Sequence, residues 1–283
     1  MAALKKQTSV SNMTLYGIGA GVLVLGGTIV SLKNTLFPPP LAPCTTRYVS
    51  SVDFPSQAPN AQPVNVREVQ TRLGFDEWGL VENVTIQPSK QGAFPFVLEI
   101  ALPAGASGQK TSRAAQGGVG FSWKPGLPNG AAAACLSYGV RLPPNFDFDK
   151  GGLLPGLFGG EEPRAGKTGF AARLGWGPNG IGDVFANLPG TGERGVGLTG
   201  GAWMFATGRW ILVEQEVRLN TPGQADGTLA IWIDGELRAE LKDVAFRGHE
   251  QVRLSGILSD VYYAAQAPTD TSVQITSFNF RWQ

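Results

Sequence analysis

Residues 146–160 read Phe146-Asp147-Phe148-Asp149-Lys150-Gly151-Gly152-Leu153-Leu154-Pro155-Gly156-Leu157-Phe158-Gly159-Gly160, five glycines and a proline among apolar side chains. Glycine lacks the Cβ that holds two backbones apart, so this stretch suits a floor over which other strands pass closely. Before it, Leu136-Ser137-Tyr138-Gly139-Val140-Arg141-Leu142 alternates as a half-buried strand does, and Pro143-Pro144 stops it. After it, Phe170-Ala171-Ala172-Arg173-Leu174-Gly175-Trp176 alternates again. That run turns at Gly177-Pro178-Asn179-Gly180 and returns through residues 181–189, a hairpin.

Working outward, the same patterns predict strands near 81–87, 96–102, 118–123, 134–142, 169–176, 181–188, 209–219, 228–234, 236–243, 252–263 and 272–282. Asp234-Gly235 between two such runs is a two-residue hairpin signal. Helical periodicity is absent outside the N-terminal segment, and no repeat is visible. With 39 glycines and 20 prolines to punctuate short strands, the pattern points to an all-β sandwich of two antiparallel sheets. A net charge of +1 gives no basic footprint, which argues against nucleic acid as a partner.

The N-terminus divides differently. Residues 13–32 are uncharged and largely apolar, long enough for the roughly 20 residues a membrane helix needs. A cleaved signal peptide is the competing reading, but its apolar core is usually shorter, and no small-x-small cleavage site precedes Lys33. Leu41-Ala42-Pro43-Cys44 superficially resembles a lipoprotein box, yet Pro43 and the distance from the apolar run argue against lipidation. Lys5 and Lys6 before the run, against Lys33 after it, favour a cytoplasmic N-terminus in a bacterial-type inner membrane, with the main domain periplasmic or extracellular.

Gly17 and Gly21 make a small-residue pair that would let a partner helix approach, although glycine is also common in membrane helices generally. The expected organisation is residues 1–12 cytoplasmic, 13–32 membrane anchor, 33–79 Pro-rich spacer and 80–283 sandwich. Cys44 in the spacer could pair with Cys135 in an oxidising compartment, or Cys135 could be a small buried apolar residue.

The order Leu-x-Tyr-x-Val-Arg-x-Pro from Leu136, Phe-Asp-Phe-x-Lys-Gly-Gly-x-Leu-Pro-Gly-Leu-x-Gly-Gly from Phe146, and Ala-Arg-Leu-x-Trp from Ala172 resembles polysaccharide lyase family 14, the alginate and polyglucuronate lyase-like proteins. The resemblance extends over about residues 80 to 283, taking in residues 97–105, 218–223 and 231–235. It implies a jelly roll with a saccharide groove on one concave face. It also implies a Lys in the Gly-Gly-Lys-Leu-Pro-Gly motif, a Ser two places before an Arg, and a Tyr-x-Tyr pair on the returning strand. Here those positions hold Leu153, Ala171, Arg173, Phe185 and Asn187. Only the arginine is kept. Cleaving a uronan by β-elimination requires a donor on the C5 carboxylate, a base for the C5 proton and an acid for the departing O4. Phe185 has no hydroxyl to exchange a proton, and Asn187 is no practical base.

Other chemistries find little support. His249 is the sole histidine and sits in a turn-like Arg247-Gly248-His249-Glu250, so a His-rich metal site or a serine triad has little to work with, and the expectation is no cofactor and no metal. Gly156-Leu157-Phe158-Gly159-Gly160 lacks the Lys-Ser/Thr of a phosphate loop. Asp147, Asp149, Glu161 and Glu162 lack a calcium-loop spacing. Two functions remain. One is a membrane-anchored, non-catalytic structural or binding subunit, with membrane lipid, other transmembrane subunits and acidic polysaccharide as partners and Arg173, Asn187 and Lys150 as saccharide contacts. The other is an active lyase recruiting Lys150, Tyr138, Tyr262 or Tyr263.

Overall fold

The computed structural model describes residues 40–54, 64–74, 77–89, 95–108, 114–127, 129–193 and 195–283. Two sheets face one another. The nine-stranded sheet contains β1 (Ser50–Asp53), β3 (Val84–Pro88), β4 (Phe96–Leu102), β6 (Ala133–Arg141), β12 (Trp210–Arg218), β13 (Gly227–Ile233), β14 (Glu236–Val244), β16 (Thr271–Thr276) and β17 (Asn279–Trp282). The eight-stranded sheet contains β2 (Glu77–Trp78), β5 (Val119–Trp123), β7 (Gly152–Gly160), β8 (Gly169–Trp176), β9 (Ile181–Asn187), β10 (Val196–Gly197), β11 (Trp203–Met204) and β15 (Leu254–Tyr263). The first runs β14-β13-β12-β6-β16-β4-β3, with β17 joining β6 to β1. The second runs β10-β9-β8-β7-β15-β5-β2, with β11 on β9.

Alternation explains the layering, because successive side chains of a strand point to opposite faces. Val140, Ile211, Ile231 and Ile275 from one sheet meet Phe121, Leu157, Leu174 and Ile257 from the other in one buried core. Each such side chain contributes about 1.5–3 kcal/mol when removed from water. Asp234 and Gly235, both at positive φ (53° and 79°), make the tight turn between β13 and β14.

β7 departs from the expectation. Residues 152–160 form a full strand, buried at every position except Gly160. Its glycines are sites of close approach: a Cβ on Gly156 would lie 2.0 Å from the Ala172 carbonyl oxygen, and one on Gly152 would lie 2.2 Å from the Trp176 ring. Between Leu153 and Gly156 the pairing with β8 shifts register, a bulge in the ladder.

The expected spacer also departs. Residues from Ala42 to Gln283 form one compact unit, so the folded domain begins well before residue 80. Cys44 and Cys135 are joined by a disulfide. Beside it, Thr45 donates through its backbone N–H (3.0 Å) and its Oγ1 (2.9 Å) to Glu214 Oε2, while Arg47 Nη1 and Nη2 fork onto Glu216 at 3.0 and 2.7 Å. Tyr48 and Arg218 also donate to Glu216. Glu214 and Glu216 point outward from β12, and the 43–48 strap is what buries them with their charge-assisted partners in place.

Further on, α1 (Val66–Leu73) starts at Asn65, whose side chain accepts from the Arg67 N–H, and stops at left-handed Gly74. The expected anchor at 13–32, with Gly17 and Gly21, lies outside the described residues. Among those that are described, no helix is long and apolar enough to cross a membrane.

Candidate functional site

The outer face of the eight-stranded sheet carries the positions on which the sequence reading turned. Register places Gly156, Arg173 and Phe185 in one row across β7, β8 and β9, and Phe158, Ala171 and Asn187 in the next. Gly156 leaves no side chain beside Arg173, whose guanidinium reaches Asp260 on β15, beyond β7. There Arg173 Nη1 donates to Asp260 Oδ2 at 2.6 Å, and Nη2 donates to Asn187 Oδ1 at 2.6 Å. Asn187 Nδ2 is itself spent on the carbonyls of Gly192 and Glu193, each at 3.0 Å. Asp260 is also forked by Arg164, Nη2 to Oδ1 at 2.8 Å and Nε to Oδ2 at 3.2 Å.

Relative exposures are 7% for Arg173, 0% for Asn187 and 1% for Asp260. A buried charge is costly unless paired, and here the pairing is internal to the protein. Arg164 belongs to the turn between β7 and β8. Beside that turn the outward-facing Phe158, Ala171 and Leu258 form a small buried apolar cluster of their own.

Next to this closed network lies an open groove of about 1180 Å³, bordered by Leu153, Arg173, Trp176, Phe185 and Tyr262, with Asp149, Lys150 and Glu193 also on its walls. The loop presenting Lys150 is fixed by rings: Phe146 stacks on Tyr263 (centroids 5.6 Å apart) and meets Trp176 edge-on at 5.3 Å. The Tyr262 ring packs against Trp78 at 5.7 Å, and Gly108 gives it room, since a Cβ there would sit 2.2 Å from the ring. Burial pushes the Tyr262 phenol up from its ordinary pKa, and the Asp260 charge pushes the same way. The positive charges of Arg173 and Arg164 oppose them without reversing the shift.

The expected site positions divide between the groove and the interior of the sheet face. Leu153, Arg173 and Phe185 reach the groove, whereas Ala171 is buried under apolar neighbours and Asn187 is sealed off from it. Asn187, expected as a saccharide contact, is buried with its amide hydrogen-bonded to Arg173, Gly192 and Glu193. Lys150 is exposed on the groove wall. Of the tyrosines weighed as recruits, Tyr138 is buried in the core donating to the Pro155 carbonyl, and Tyr263 donates to the Asp147 carbonyl. Tyr262 alone of the three borders the groove. Asp260 was not singled out from the sequence, and its signal is slight: a carboxylate at the same parity as Leu258 and Tyr262 in an apolar strand.

The two packed antiparallel sheets make a β-sandwich that carries its groove on the outer face of one sheet. The chain belongs to the polysaccharide lyase 14 family, whose model matches residues 90–281. Among solved structures it is similar to the marine PL-14 alginate lyase from Aplysia kurodai, with a TM-score of 0.68 and 23% identity over 83% of this chain and 99% of that one. It is similar also to alginate lyase vAL-1 from Chlorella virus, with a TM-score of 0.62 and 18% identity over 83% of this chain and 100% of that one. The endo-beta-1,4-glucuronan lyase from the fungus Trichoderma reesei gives a TM-score of 0.52 and 12% identity over 71% of this chain and 87% of that one. At these identities the likeness concerns the fold. No curated protein matches the sequence.

Proposed function

We propose that this chain is a membrane-anchored, non-cleaving relative of the lyases, holding saccharide in its groove and serving as a structural or binding subunit of an envelope or integral-membrane assembly. The observation that carries the reading is the engagement of Arg173, whose two terminal nitrogens are each held at 2.6 Å by Asp260 and Asn187. That leaves both terminal nitrogens already engaged where a uronan carboxylate would need them. Leu153 and Phe185 bring no titratable group to the groove, and burial holds the Tyr262 phenol above its ordinary pKa. With Arg173 engaged and no titratable group at Leu153 or Phe185, several kcal/mol of barrier lowering is forfeited.

The apolar run at 13–32 supports a single crossing with the N-terminus in the cytoplasm. The Cys44–Cys135 disulfide suits an oxidising compartment beyond the membrane. One observation favours a second reading, active uronan lyase: Tyr262 and Arg173 both border the groove, where a proton-transferring group could act.

The test is to incubate the purified protein with alginate and polyglucuronate and follow the ultraviolet absorbance of the unsaturated product. No product above a no-protein control is expected. Product that disappears in Tyr262→Phe would replace this reading with the second. Gentle detergent extraction is expected to recover a stoichiometric partner, and a lone monomer would count against the subunit role.

A further inference from the structure

We infer that the free edge of β14 pairs with the β14 of a second copy of this chain, antiparallel, about a two-fold axis at Ala239. The groove takes no part in this contact.

β14 ends the nine-stranded sheet, and among the described residues its one ladder is to β13. A free edge presents backbone N–H and C=O groups that can pair with another strand, and charged side chains are the usual defence against it. Here Glu236, Arg238, Glu240 and Lys242 are all exposed along the strand. Charges of one sign would repel a second copy. These alternate in sign, so on an antiparallel copy they become an attraction. Within the strand they hold one another only as surface pairs, Arg238 with Glu236 at 2.6 Å and Lys242 with Glu240 at 3.8 Å, and such pairs exchange partners at little cost.

Register makes the pattern selective. Arg238 and Glu240, two positions apart, share a face of the strand. With Ala239 on the axis, Arg238 opposes the partner's Glu240 and Glu240 opposes the partner's Arg238, while Glu236 and the partner's Lys242 fall together at either end. Opposite charges facing each other across a strand pair stabilise it, and like charges oppose it. Sliding one copy by two residues sets Arg238 or Glu240 against itself, so the charges admit one register and refuse its neighbours. Such self-complementarity is what a two-fold dimer requires. The ladder to β13 slips between Leu237 and Ala239, a bulge whose added twist is the same in both copies and so leaves them matched. Asp243, at a φ of 63°, ends the regular strand geometry just past Lys242.

The experiment is sedimentation velocity of the full chain in detergent over a range of protein concentrations. A monomer–dimer equilibrium is expected. Arg238→Glu and Glu240→Arg, each alone, are expected to weaken dimerisation about tenfold or more, because either change sets two like-charged pairs across the axis. Both side chains are exposed, so the variants keep the fold. Arg238→Glu with Glu240→Arg in one chain is expected to restore the dimer, since opposite charges face each other again. A wild type that stays monomeric at every concentration overturns the inference, whatever other subunit co-purifies. A dimer indifferent to both single changes also overturns it and moves the association elsewhere, the N-terminal glycines included. Weakening in the single variants without recovery in the double one overturns the register.

Discussion

The Tyr138 hydroxyl, rooted in the nine-stranded sheet, crosses the core and donates at 3.0 Å to the Pro155 carbonyl of the facing sheet. Gln215 makes the same crossing beside it, Nε2 donating to the Ala172 carbonyl at 2.8 Å and Oε1 accepting from the Leu157 N–H at 2.9 Å. Both lie at the β7 bulge, where backbone groups are freed from the ladder and, being buried, must find partners elsewhere. The bulge adjoins Leu153, so these two polar pins help set the floor of the groove.

Tyr138→Phe is therefore expected to lower stability by roughly 1–3 kcal/mol, the cost of one buried acceptor left unsatisfied. Gln215→Leu should cost more, because it orphans a donor and an acceptor together. Urea unfolding reads both through the midpoint at unchanged slope. A shift within about 0.5 kcal/mol for either variant would assign the pins a passive role.

Asp260→Ala should be among the most damaging single changes, at about 3–5 kcal/mol, because it strands Arg173 in a buried site. Arg164→Ala should cost under about 1 kcal/mol, since that side chain is 44% exposed and solvent screens its charge. Replacing the inner pair together, as Asp260→Leu with Arg173→Met, should recover most of the loss. Equal effects of Arg164→Ala and Asp260→Ala would show that the inner pair is not the one that matters.

Tyr48, Tyr138, Tyr262 and Tyr263 are all held above the ordinary tyrosine pKa of about 10, chiefly by burial. The folded state keeps these protons when the unfolded state has released them. Their contribution is thus fully present below about pH 10 and is lost as pH rises through the folded values. A tyrosinate absorbance titration should show delayed ionisation that coincides with alkaline unfolding. Four phenols titrating normally near pH 10 in folded protein would contradict the packing described.

If Gly17 and Gly21 face a partner helix, Gly17→Leu or Gly21→Leu should reduce recovery of co-purifying subunits while membrane insertion is retained. Added bulk separates two backbones without making the segment less apolar. Unchanged recovery would return these glycines to background composition.

Much of the sandwich was legible in the chain. Alternation located β4 and β8 to the residue and β6, β9, β12 and β13 to within one residue at either end, because one face of each is core. β7 was not, since glycines 152, 156 and 159 carry no side chain to alternate and its other residues are buried on both faces. α1 was hidden by its brevity and by the prolines upstream, with Val69 its one fully buried residue. In the site, Arg173 and the residues around it were readable from motif order. Asp260 was not, because an ion pair spanning 87 positions leaves no local pattern.

If the apolar run at 13–32 anchors the chain, the Cys44–Cys135 bridge gives that tether an unusual mechanical path. Its loop of 91 residues would contribute about 4–5 kcal/mol by the chain-entropy account. Tension arriving from such an anchor would pass at Cys44 straight into β6, a strand with neighbours on both sides in the larger sheet, and bypass the 90 residues that follow. Those residues carry no load while the bridge is intact. A single proteolytic cut anywhere between them should leave the two pieces travelling as one on a non-reducing gel, with the groove still moored to whatever holds the N-terminus.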